Sequence, residues 1–241
     1  MKKLCLALLA SAILPVAAAQ AADIMEPIIP AGFSWEGAYV GVHAGYGWGR
    51  ERDNQSDVFF GGGGGIAADK FDADGFVGGV HAGYNWQRGN FVFGIEGDVD
   101  GSTIKGSSDY FYPYDAFDAY YGKLSFKSDV QGSLRLRAGA AMDRALIYAT
   151  GGVAIARGKV KETVYDSWYT DPYIGTWSDT KTHIGWTLGA GVEYAFTDNW
   201  IGRFEARYTD FGSKKYDLSS MESVKVDWKQ TTVNFGLSYK F

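Results

Sequence analysis

The chain has 241 residues, 46% of them apolar, with 33 glycines, a single cysteine and a formal net charge of −5. A chain of this length can enclose a large core without a disulfide, and one cysteine cannot form one within the chain. The acid excess, with no basic stripe along the sequence to neutralise phosphates, excludes nucleic acid as a partner.

Lys2 and Lys3 precede an apolar run from Leu4 to Val16, followed by small residues and "AQA" at Ala19–Ala21. This is the pattern of a secretory signal peptide over residues 1–21, with cleavage after Ala21 or Ala22. Cys5 lies inside it, so the mature chain has no thiol. Removal takes away two lysines and no acids, leaving 21 basic against 28 acidic residues and a net charge of −7. Beyond it, no apolar run approaches the roughly 18 to 20 residues of a membrane-spanning helix. Residues 22–34 contain Pro27 and Pro30 and no periodicity, and read as an extended periplasmic arm.

From Trp35 to Phe241 the pattern is alternation, one apolar residue at every second position, which marks strands with one greasy face. "AYVGVHAGYGW" places Val40, Val42, Tyr46 and Trp48 on one face and Gly41, His43 and Gly45 on the other. "FVGGVHAGYNW" nearly repeats it. "FVFGIEGDVD" sets Phe91, Phe93, Ile95 and Val99 against Glu96, Asp98 and Asp100. "FKSDVQGSLRLRA" sets Phe126, Val130, Leu134 and Leu136 against Asp129, Gln131, Arg135 and Arg137. "ALIYATGGVAIA" alternates least clearly. "IGWTLGAGVEYAF" puts Glu193 opposite its apolar face, and "WIGRFEARY" opposes Phe204 and Tyr208 with Arg203, Glu205 and Arg207. "VNFGLSYKF" is the eighth strand, with Phe235, Leu237, Tyr239 and Phe241 on one side.

The connections alternate between a few residues and long segments that are polar or aromatic-rich. Short turns at one end, long loops at the other and aromatics gathered at strand ends describe an eight-stranded antiparallel transmembrane up-and-down β-barrel, with periplasmic turns and extracellular loops. The loops "DYFYPYDAFDAYYG" (109–122) and "YDSWYTDPYIGTW" (165–177) read as long strands that pair above the membrane and bury rings on each other.

Parity puts four acids (Glu96, Asp98, Glu193 and Glu205) and four arginines (Arg135, Arg137, Arg203 and Arg207) inside the barrel. An eight-stranded barrel is just wide enough for its side chains to fill, so these charges are expected to pair across the lumen and plug it. His43 and His81 also face inward on neighbouring strands and could approach one another as metal or hemin ligands; a third inward ligand is not evident, and hydrogen bonding is the ordinary role of such histidines. "GGGGG" at Gly61–Gly65 lacks the lysine and helix of a phosphate loop. Asn54 of "NQS" is a polar loop residue. Ser178, Asp179 and His183 are close in sequence, which does not make a triad. No cofactor and no enzymatic activity are expected.

Three stretches, "WEGAYVGVHAGYGWG" (35–49), "GSLRLRAGAAMDRALIYATGGVAIA" (132–156) and "GVEYAFTDNWIGRFEARYTDFG" (191–212), resemble the small outer-membrane β-barrel proteins of alphaproteobacteria. These are surface proteins of plant symbionts and intracellular pathogens, and they include hemin-binding members. The resemblance implies an OmpA-type barrel in the bacterial outer membrane with a role in envelope integrity, surrounded by outer-membrane lipid and lipopolysaccharide. It also implies that Phe235, Leu237, Tyr239 and Phe241 form the signal read by the barrel-assembly machinery. Its alternatives are a porin-like solute channel, or a surface protein that binds hemin or a host ligand through its extracellular loops.

Overall fold

The computed structural model describes residues 32–53, 59–60, 64–65, 71–113, 119–166, 173–217 and 224–241. The segment expected to be a signal peptide, the expected arm up to residue 31, Asn54 and Gly61–Gly63 lie outside the described residues. So do the tips of the two aromatic loops, residues 114–118 and 167–172.

Eight strands form a closed ring: β1 (Gly37–Asp53), β2 (Phe71–Arg88), β3 (Phe91–Ser102), β4 (Ala119–Met142), β5 (Ala145–Asp166), β6 (Tyr173–Ala195), β7 (Trp200–Tyr216) and β8 (Val224–Lys240). Each pairs antiparallel with the next in sequence, and β1 pairs with β8 from Tyr39↔Lys240 to Asp53↔Val226, which closes the barrel. After a two-residue break β3 resumes as Lys105–Pro113, which pairs with the upper part of β4. Two of the hairpin turns at the lower rim are two residues long. Each opens with a positive φ, 58° at Gly89 and 52° at Asp143. Glycine takes this conformation without steric cost, and Asp is one of the few other residues that tolerates it.

The outward face is apolar where a soluble protein would be polar. Phe76 is 70% exposed, Ile184 and Leu136 are both 68% exposed, and Phe235 is 65% exposed. Such a continuous greasy belt is stable only against lipid. Aromatics bound it above and below: on β2 from Phe76 to Trp86, and from Trp186 on β6 to Phe196 just past its end. Ten residues at ~3.4 Å rise, tilted by ~40°, span about 26 Å, the height of an outer-membrane hydrocarbon band. No helix among the described residues is long and apolar enough to cross a membrane; the strands cross instead.

Above this band the alternation inverts. Leu124, Phe126, Val160, Val226 and Trp228 point inward and form a buried cluster with Phe211 and Tyr216, while lysines point outward. With water outside and no lipid, the apolar residues have only the interior in which to hide. Phe126 therefore corrects the sequence expectation, which placed it on the lipid face. A bulge between Ser128 and Gln131 leaves Asp129 and Val130 both outward and reverses the parity of everything above it. Asp129, expected inside, is exposed for the same reason. A second irregularity, between Asp210 and Ser213, turns at Gly212 (φ 65°).

Much of the predicted long connections is strand: Tyr110–Pro113 pairs with Ala119–Gly122, and Tyr121 pairs with Tyr165. Tyr121 and Tyr165 remain exposed, whereas Trp177 packs on the upper cluster.

The lower end is closed by the segment just before β1. Trp35, fully buried, enters the mouth and packs with Val92, Leu146, Tyr148 and Ile201. Its backbone N–H donates to Gln87 Oε1 at 2.7 Å, and its indole N–H donates to the Asp143 carbonyl at 3.0 Å. Phe33 stacks edge-on against it at 5.0 Å between ring centroids. Residues 32–36 are thus a cork tied to two turns of the barrel, spanning the expected boundary between the extended arm and the barrel.

Candidate functional site in the barrel lumen

Between the apolar cluster above and the Trp35 cork below, the lumen holds the charged side chains. They reach it because each occupies an inward position of its strand, and no such position in this zone faces lipid. Glu96 and Asp98 come from β3, Arg135 and Arg137 from β4, Glu193 from β6, and Arg203, Glu205 and Arg207 from β7. All eight are at most 8% exposed.

Glu96 is the hub. Arg203 Nη1 donates to its Oε1 at 2.9 Å and Arg203 Nη2 to its Oε2 at 2.5 Å, a two-pronged guanidinium–carboxylate pair. Arg135 Nη2 donates to the same Oε1, and the Tyr39 hydroxyl donates to Oε2 at 2.7 Å. Glu193 accepts from Arg203 Nε and from Arg137 Nη2, both at 2.7 Å. Glu205 accepts from Arg135 Nη1 at 2.7 Å, from Arg207 Nη2 at 2.9 Å and from the Tyr148 hydroxyl at 2.9 Å. Asp98 accepts from Ser133 Oγ at 2.5 Å and from Arg207 Nη1 at 3.3 Å. The eight residues form one continuous network. Each carboxylate meets at least one guanidinium, as a charge at this depth must.

Two tyrosines of the network were not among the expected residues. Tyr39 on β1 lies between Glu96 and Arg137, accepting from Arg137 Nη1 at 2.9 Å. Tyr148 on β5 binds Glu205 and presents its ring face to Arg137, whose Cζ is 4.2 Å from the centroid. Tyr39 shares the parity of His43, so counting back four residues would have found it. Tyr148 sits in the strand whose alternation two consecutive glycines, Gly151 and Gly152, obscure. With both tyrosines included, the network touches β1, β3, β4, β5, β6 and β7.

His43 and His81 come together beside it. Their Nδ1 atoms are 3.2 Å apart, His81 Nε2 lies 2.8 Å from Ser238 Oγ, and His43 Nε2 lies 2.7 Å from Asp100 Oδ1. The last contact has ion-pair distance without the angle of a hydrogen bond. Both rings are buried, and Gly41 leaves the space that His81 occupies: a Cβ there would lie 2.5 Å from His81 Nε2. No group of three or more His, Cys, Asp or Glu among the described residues is arranged to hold a metal. Ser178 faces outward and His183 inward, where His183 Nε2 meets the Tyr216 hydroxyl at 2.7 Å, so with Asp179 they assemble no triad. Phe235 and Leu237 line the lipid face, and Phe241 is exposed at the lower rim, its N–H donating to the Ala38 carbonyl at 3.0 Å.

The sequence model of the outer membrane protein beta-barrel domain matches residues 6–241. The chain belongs to this family. This outer-membrane barrel is 38% identical over 246 residues to the 31 kDa outer-membrane immunogenic protein of Brucella melitensis, with 92% of the chain and 93% of the relative covered. It is 33% identical to the 25 kDa outer-membrane immunogenic protein of Brucella abortus, covering 98% and 97%. It is 35% identical to the 22 kDa outer membrane protein of Rhizobium leguminosarum, covering 89% and 82%. Among solved structures, Neisserial surface protein A aligns with a TM-score of 0.41 at 17% identity, covering 86% of this chain and all of that one. The protein is an integral β-barrel of the bacterial outer membrane, in contact with its lipid.

Proposed function

We propose that this outer-membrane barrel is a non-conducting, surface-exposed structural protein that contributes to envelope integrity, with no catalytic activity and no cofactor. The observation that carries this reading is the charge network, which joins six of the eight strands across the lumen and leaves paired side chains where a channel would need water. A ring of one charge sign selects ions; four arginines among four partner carboxylates lock instead. That relatives are outer-membrane immunogenic proteins supports exposure at the cell surface.

The same reading assigns Phe235, Leu237, Tyr239 and Phe241 as the address recognised by the barrel-assembly machinery, since they share one face of the closing strand. For the envelope role, deletion of the protein should sensitise cells to deoxycholate and to bulky hydrophobic antibiotics, and re-expression should restore resistance. Wild-type resistance in the deletion strain would refute the role.

A further inference from the structure

The part of the barrel above the hydrocarbon band carries a basic face that no single strand reveals. Register places Lys105 directly opposite Lys127, and Lys127 directly opposite Lys159, so three lysines stand in one row across neighbouring strands. Lys161 lies one step above on the same face, opposite Ser125 and Ser178, and Arg157 lies one step below, opposite Thr182. All five side chains are exposed. Like charges directly opposite each other destabilise a sheet, so this row is not explained by the stability of the strands. Its own acids answer only part of it. Asp129 pairs with Lys127 at 2.6 Å, Asp109 stands opposite Lys123, and Asp74, which also accepts from the Tyr46 hydroxyl, stands opposite Lys105, leaving Arg157, Lys159 and Lys161 without an acid directly opposite. Among the described residues no ion pair engages Lys105, Arg157, Lys159 or Lys161. In a protein of net negative charge, this local surplus points to an anionic partner.

Height identifies the partner. Ile155, facing lipid, is two residues below Arg157 on β5, and lipid-facing Val130 lies just below Lys127 on β4. At ~3.3 Å per residue the basic row begins roughly 7 Å above the last apolar contact, at headgroup level. We infer that the face formed by Lys105, Lys127, Arg157, Lys159 and Lys161 binds the phosphate groups of a phosphorylated glycolipid of the outer leaflet, lipopolysaccharide by chemistry. The acyl chains of that lipid lie on the apolar belt directly below, and the hydroxyls of Ser125, Ser178, Thr180 and Thr182 on the same face offer hydrogen bonds to its sugars. The inference rests on outer-membrane residence with the long strands outward.

The test is native mass spectrometry of the full-length barrel extracted from outer membranes, titrated with bis-phosphorylated lipid A and with the same lipid dephosphorylated. The triple variant K127Q/K159Q/K161Q should lose bis-phosphorylated adducts by at least roughly tenfold. Wild type should hold the dephosphorylated lipid as weakly as the variant holds the phosphorylated one. Equal adducts in variant and wild type would overturn the assignment, as would tighter binding of wild type to a soluble sulfated glycan than to the lipid. Heat-modifiability of the variant, and maleimide labelling of Lys127→Cys on intact cells, report fold and orientation independently, so a wrong orientation is told apart from a wrong ligand.

Discussion

Arg203 reaches across the lumen from β7 and grips Glu96 on β3 with both terminal nitrogens, at 2.9 and 2.5 Å. The two residues are 107 apart in sequence, and their pairing ties opposite walls of the barrel. Removing one partner leaves the other charged and buried. Glu96→Ala should cost about 3–5 kcal/mol and lower the urea midpoint of the heat-modifiable form. The double variant Glu96→Ala with Arg203→Met should cost less than the sum of the two single changes, because no uncompensated charge remains. An additive double variant would show that the pair is not coupled.

The cork gives an independent expectation. Trp35 is fully buried among Leu146, Tyr148 and Ile201. Trp35→Ala should destabilise the barrel by about 3–5 kcal/mol, seen as a lower thermal midpoint of the SDS-resistant band. Trp35→Phe should be milder, keeping an aromatic ring while losing the indole donor to the Asp143 carbonyl and part of the buried volume. An unchanged midpoint for the alanine variant would mean that the segment does not dock.

The bulge between Ser128 and Gln131 can be checked by chemistry. Cysteines placed singly at Phe126 and Lys127 should differ: a membrane-impermeant maleimide should label the Lys127→Cys protein on intact cells and leave the Phe126→Cys protein unlabelled. The reverse pattern would restore the parity that unbroken alternation suggests.

That bulge also marks where the sequence stops being legible. Within the hydrocarbon band lipid lies outside and the lumen inside, so strict alternation from Val130 to Ala138 placed Arg135 and Arg137 inside. One inserted residue has no compositional signature, yet it moved Phe126 from lipid to core. Above the band the solvent changes, and a pattern such as Lys123–Leu124 means the opposite of what it means below. Tyr39 is hidden differently: its parity is plain, since it shares the face of His43, but its partners Glu96 and Arg137 lie 57 and 98 residues away. The lysine row was out of reach because Lys105, Lys127 and Lys159 meet only through register.

The histidine pair carries an expectation of its own. His43 and His81 already face each other at 3.2 Å, with Ser238 and Asp100 at their remaining nitrogens. Buried rings so engaged have no free face for a macrocycle. The variant with both His43→Ala and His81→Ala should therefore leave any hemin absorbance titration of the barrel unchanged. Loss of the absorbance shift in that variant would place hemin in the lumen.

Single-channel recording in planar lipid bilayers tests the sealed lumen most directly. Purified wild-type barrel, with Arg203 and Glu96 bridging the interior, should give a silent baseline or only rare, small events under applied voltage. Steady, large, uniform conductance steps from the wild-type protein would contradict the sealed lumen and make the barrel a porin.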